Sequence, residues 1–163
     1  MNDSLDSLAD ALRDEIEHLG NLLGLFRDQQ EGLVRPDPEK VLEEAQMIEQ
    51  AARVANRFRQ RREQLVQTIA RTFAQPPSIT LLRLLVEFPP EMQPMFEALI
   101  KEVNRLVHQT RRTARQNQRL LARTVEVHRE TLRILRPDVF SPTYDRRGGV
   151  REGNGSGSFA TAV

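Results

Sequence analysis

Few residues in this chain have the types and spacings needed for chemistry. Glu15-Ile-Glu-His18 carries the Glu-x-x-His spacing that puts two metal ligands on one helix face. A di-iron bundle needs that motif twice, with further carboxylates from facing helices. Only one copy is present, and His108 and His128 lack acids at ligand spacing on an inner face. No metal site and no cofactor are therefore expected. Gly153-x-Gly155-x-Gly157 has the glycine spacing of a phosphate loop, but no strand is expected before it and no helix after it, so it reads as linker. No Ser-His-acid grouping stands out. Cysteine is absent, which removes thiolate nucleophiles, thiolate metal sites and disulfides. The chain is expected to have no catalytic residues and not to be an enzyme.

The remaining chemical candidate is arginine. Arg105, Arg112 and Arg119 recur every seven residues, with Arg111, Arg115 and Arg123 beside them. A helix so decorated can track phosphates. The stretch has no aromatic side chain to stack on bases, and the acidic start of the chain offers an internal partner. A solvated or self-paired face is the favoured reading, and nucleic acid is not the expected partner. Residues 1–50 hold 13 acids against 4 bases, and residues 105–163 hold 12 bases against 5 acids. That polarity predicts neighbouring first and last helices, with the last one held by charge from Thr110 onward. The run Arg57 to Arg62 reads as a solvated face.

These residues must be positioned by helices. With 163 residues, one domain with a modest core is expected. Trp is absent and Tyr occurs once, which suits a helical bundle better than a pocketed enzyme. The N-terminus is acidic and periodic, unlike a signal peptide. The most apolar run, Ile79 to Phe88, is short and contains Arg83 and Glu87, so no membrane insertion is expected. The protein should be soluble and cytoplasmic.

Leu5, Leu8, Leu12, Ile16, Leu19, Leu23, Phe26 and Leu33 predict a first helix over about 4–33, capped by Asn2, Asp3 or Ser4. Gly20 and Gly24 weaken it, unless they permit a close helix approach. Asp37 and Pro38 are the cap and first residue of a second helix over 38–74, striped by Val41, Ala45, Ile48, Ala52, Ala55, Phe58, Leu65, Ile69 and Phe73. Ser78 caps a short apolar helix over 79–88, which should plug a bundle end or meet another chain. A long helix over 91–136 follows, with Met92, Phe96, Leu99, Val103 and Leu106 on its seam, then Thr110, Thr113 and Asn117. Polar seam residues trade stability for register or for an exchangeable surface. At about 46 residues this helix spans roughly 70 Å, against roughly 45 Å and 55 Å for the first two. Part of it must therefore protrude or fold back. The fold class is all-α: an antiparallel, elongated bundle or coiled coil of three long helices plus a short one. Residues 1–136 form the helical domain, and 137–163 a flexible, glycine-rich tail, disordered after about Pro142.

The far end of the long helix is apolar again, with Leu120, Leu121, Val125, Val127, Leu132, Ile134 and Leu135. It reads either as bundle core or as a surface for an amphipathic partner helix. In the tail stands the only tyrosine, Tyr144, which has no core of its own to fill and can anchor a contact.

Leucine heptads in a first helix, Asn117 followed by Leu120-Leu121 in a long last helix, and Thr143-Tyr144-Asp145 with Gly148 in a tail resemble the FlgN family of flagellar export chaperones. The resemblance covers about 4–148; the short proline-bounded helix and the glycine-rich extension are additions to it. It implies a cytoplasmic chaperone that binds hook–filament junction proteins, prevents their premature assembly and delivers them to the type III export gate. It further implies client contacts at Asn117, Leu120 and Leu121 and export-gate docking at Tyr144. Val125, Leu132 and Leu135 join the client-binding set from the helix pattern alone. The chain is expected as a monomer or weak homodimer. Two other readings fit parts of the sequence: a nucleic-acid-associated coiled-coil protein using the arginine-rich helix, and a homodimeric structural bundle.

Overall fold

A computed structural model describes residues 2–34, 37–135, 143–144 and 150–151. In chain order the elements are α1 (Asn2–Gly32), α2 (Pro38–Thr72), α3 (Leu81–Leu84) continued by one 3-10 turn (Leu85–Glu87), α4 (Gln93–Leu135), and two-residue strands β1 (Thr143–Tyr144) and β2 (Val150–Arg151). The fold is an all-α helical bundle. The chain divides into two units, Met1–Arg119 and Leu120–Val163.

The first unit is built on an α1–α2 hairpin. Asp14 and Glu15 meet Arg61 and Arg62, and His18 stacks on Phe58, so the two helices run antiparallel. Contacts from Arg13 to Met95 and from Phe26 and Gln29 to Asn117 show α4 running parallel to α1. The core is densest where α1 begins and α2 ends. Leu5, Leu8, Leu12, Ile69, Ala70, Leu84, Phe88 and Phe96 are buried there. Phe96 meets Phe88 edge-to-face at 5.0 Å, a favoured quadrupole geometry.

The helix ends follow from their residues. Asp37 accepts the Glu39 amide at 3.1 Å with Pro38 in the first turn, as expected. The end of α2 is a Schellman motif: the Gln75 amide reaches Ala70 O at 2.8 Å and the Ala74 amide reaches Arg71 O at 3.1 Å. That motif needs a left-handed residue, here Ala74 at φ 55°.

The short apolar segment differs from expectation. The Ile79 amide closes a turn onto Pro76 O, so Ser78 sits in that turn and does not cap. Thr80 takes the N-cap position instead, and the helix is one α turn tightened into a 3-10 turn. Leu81, Leu84, Leu85 and Phe88 plug the bundle end, while Leu82 and Val86 face solvent. The two helical glycines are not contact points either, since a Cβ at Gly20 or Gly24 would meet nothing within 4 Å.

Two changes of opposite chemistry should therefore both stabilise the protein. Gly20→Ala and Gly24→Ala should each add about 0.5–1 kcal/mol by lowering unfolded-chain entropy in open space. Ala74→Gly should add about 1 kcal/mol by relieving the left-handed strain. Urea denaturation monitored by circular dichroism measures each, and unchanged midpoints would contradict these assignments.

Candidate partner-binding surface

The surface begins with how the first unit disposes of its charge. Glu15 is 2% exposed, and the Arg62 guanidinium donates to it at 2.6 Å and 3.4 Å. A buried carboxylate without such a partner is strongly unfavourable. Arg61 adds a 3.3 Å bridge to Asp14. The run Arg57 to Arg62 is thus only partly a solvated face, because its last two arginines hold α2 to α1. The Glu-x-x-His spacing serves the same hairpin: Glu15 pairs with Arg62, and His18 stacks on Phe58 with ring centroids 4.1 Å apart.

Among the described residues α4 is not held to α1 by ion pairs, which corrects the expectation of a charge clasp. Its seam residues Val103 and Leu106 are buried, and an amide layer follows. Asn117 is 2% exposed, and its Nδ2 donates to Phe26 O at 2.7 Å and to Gln29 Oε1 at 2.9 Å. Gln30 Nε2 donates to Gln116 Oε1 at 3.5 Å beside it. Such a layer fixes register, because sliding α4 by one position would orphan buried amide groups. Gln29 was invisible in sequence as a site residue. The only available signal was its place three residues beyond Phe26 on the leucine stripe.

In the second unit, α4 continues through Leu120–Leu135, and its apolar residues lie at the surface. Leu120, Val125, Val127 and Leu132 are exposed, Leu121 is half-buried, and Ile134 and Leu135 reach 73% and 70% exposure. At about 100° per residue these side chains cover roughly half of the helix circumference. Leu120, Val127 and Ile134 form one border, Leu121, Val125 and Leu132 the other, and Leu135 lies between them. Val127 and Ile134, which the sequence left as either bundle core or partner surface, are exposed.

Thr124, His128 and Thr131 lie between these borders, and their polar atoms turn inward. Thr124 Oγ1 donates to Leu120 O at 3.0 Å, and Thr131 Oγ1 to Val127 O at 2.9 Å. His128 Nδ1 lies 2.8 Å from Thr124 O. A carbonyl only accepts, so that nitrogen carries the proton. The threonines thereby present methyl groups outward, and the arc is more apolar than its sequence suggests. Arg123, Glu126, Arg129, Glu130 and Arg133 occupy the opposite side, where Arg133 and Glu130 pair at 3.8 Å. An exposed apolar arc of this length on a helix has the character of surfaces that receive partner helices.

The family model described as FlgN protein matches residues 1–152. The chain belongs to the FlgN family. Comparison with curated proteins and with solved structures gave no match. FlgN proteins are flagellar type III export chaperones, which bind flagellar export substrates. No described helix is long and apolar enough to cross a membrane.

Of the residues expected from the FlgN resemblance, Asn117 is inside the bundle and Leu120 is exposed. The backbone of Tyr144 pairs with Val150, and that of Thr143 with Arg151. The Tyr144 side chain and the expected tail disorder lie outside the described residues.

The amide layer can be tested directly. Asn117→Ala should cost about 1–2 kcal/mol in urea denaturation by leaving the Gln29 oxygen unpaired. In a double-mutant cycle, Gln29→Ala should lose most of its own effect once Asn117 is gone. Additive losses would show that the two side chains act independently.

Proposed function

We propose that this FlgN-family chain is a cytoplasmic chaperone that binds hook–filament junction proteins through the C-terminal part of α4. By covering the helical end of its client it prevents premature assembly, and it delivers the client to the flagellar export gate. The observation that carries this reading is the apolar arc of Leu120–Leu135, which is exposed in the chain on its own.

The client set is Leu120, Leu121, Val125, Leu132 and Leu135, extended here by Val127 and Ile134. Asn117 takes an indirect part: it holds α4 in register against α1 just before the arc begins. An amphipathic client helix laid along the arc exchanges two wet apolar faces for one dry interface. A stable interface of ordinary size buries about 800 Å² per partner. Ordering of the client on binding lowers net affinity, which favours release at the gate. A weak homodimer covering the same arc is compatible with this mechanism, since a second chain would shield the apolar surface until a client displaced it. Tyr144 is the proposed gate contact, supported by its place in the family-like Thr-Tyr-Asp motif and by the apolar face and hydroxyl that a tyrosine offers a partner.

Leu121→Asp and Leu132→Asp should each weaken co-purification with a junction protein by about tenfold or more, since a buried charge without a partner is costly. Undiminished binding by both variants would remove the arc as client surface. Tyr144→Ala should leave client binding intact and reduce client secretion. Normal secretion by that variant would refute the docking role.

A further inference from the structure

Several exposed arginines elsewhere on this chain pair with an acid one helical turn away. Arg13 pairs with Asp10 at 2.8 Å, Arg53 with Glu49 at 2.6 Å, and Arg59 with Glu63 at 3.7 Å. Arg105 donates to Glu102 at 2.7 Å, and that hydrogen bond holds the Glu102 carboxyl below its ordinary range. One stretch breaks the pattern. From Val103 to Val125 the sequence contains no acid. Among the described residues, Arg111, Arg112, Arg115 and Arg119 make no ion pair. With His108 and Gln116 they line one shallow depression of about 740 Å³ on α4. Like charges four residues apart, as at Arg111, Arg115 and Arg119, work against the helix that carries them. A merely solvated face would be better served by the alternating signs used elsewhere on this chain.

We infer that the α4 face formed by His108, Arg111, Arg112, Arg115 and Arg119 is a docking site for an acidic helix of a partner protein. Arg111, Arg115 and Arg119 follow one another at about 6 Å along the axis, the same step as carboxylates four residues apart on a partner helix. Guanidinium forks match carboxylates with two parallel hydrogen bonds. Nucleic acid would use the same charges but fits less well. The contact between Gln30 and Gln116 brings the exposed acids Asp28 and Glu31 of α1 to this level of α4. Like charge there opposes a polyphosphate continued past those acids. The face also offers no Phe, Tyr or Trp for bases to stack on. A discrete acidic helix can contact the arginines without running past those acids. This site does not depend on the client reading of the apolar arc.

The test uses the full chain and a fluorescein-labelled helical peptide with glutamate at every fourth position over four turns, read by fluorescence anisotropy. Saturable one-to-one binding is expected at about 50 mM salt, weakening toward about 150 mM as the charges are screened. Arg115→Gln with Arg119→Gln should weaken it roughly tenfold, the effect of losing two exposed charge pairs. Arg53→Gln with Arg59→Gln, on α2, should leave it unchanged. Circular dichroism should show both double variants helical, glutamine being a good helix former. No binding at low salt, equal loss in both double variants, or wild-type binding by Arg115→Gln with Arg119→Gln would each overturn the site. Tighter binding of an RNA or duplex DNA of matched charge would overturn the acidic-helix assignment in favour of nucleic acid.

Discussion

The buried carboxylate of Glu15 constrains much of what the first unit does. A nearly inaccessible charge needs a counter-charge with good geometry, and Arg62 supplies it from α2. Together with the Asp14–Arg61 bridge and the His18–Phe58 stack, this sets the pairing of α1 with α2 near the middle of the hairpin. It also decides where the acids of α1 are used. α4 is attached to α1 by apolar packing and an amide layer, and the arginines of α4 keep their charge for solvent or for a partner.

Stability is graded along the bundle in a way that suits a binding protein. Where α2 ends and α4 begins, Phe88, Phe96, Leu84 and the first leucines of α1 form a dry core closed by the short proline-bounded segment. Toward Asn117 the buried residues become Gln29, Thr110 and Asn117, and the Oγ1 of Thr110 and Oδ1 of Asn117 lack a hydrogen-bond partner among the described residues. Hydrogen bonds between neutral amides give modest net stabilisation but strong geometric preference. The amide layer therefore contributes register more than strength to this end of the first unit.

The arc from Leu120 to Leu135 shows how a polar-looking sequence makes an apolar surface. Thr124, His128 and Thr131 interrupt the hydrophobic pattern, yet each satisfies its polar group on a carbonyl one turn back. The two threonine hydroxyls ask nothing further of a partner, so an incoming apolar helix need not provide hydrogen bonds to them.

The sequence alone determined the helical class, the long helices, the Asp37–Pro38 start of α2 and the FlgN resemblance. These depend on local periodicity and cap chemistry, which act over a few residues and leave a direct trace in residue order. It did not determine which charges pair. The acids of α1 were equally available to Arg61 and Arg62 of α2 and to the arginines of α4, and only the packed hairpin register chose α2. Nor did it reveal Gln29 as the partner of Asn117 or the exposure of Val127 and Ile134, because the same three-and-four spacing marks a buried seam and an uncovered one. Those outcomes depend on which surfaces meet across 47 to 91 positions of chain, and only tertiary structure sets that.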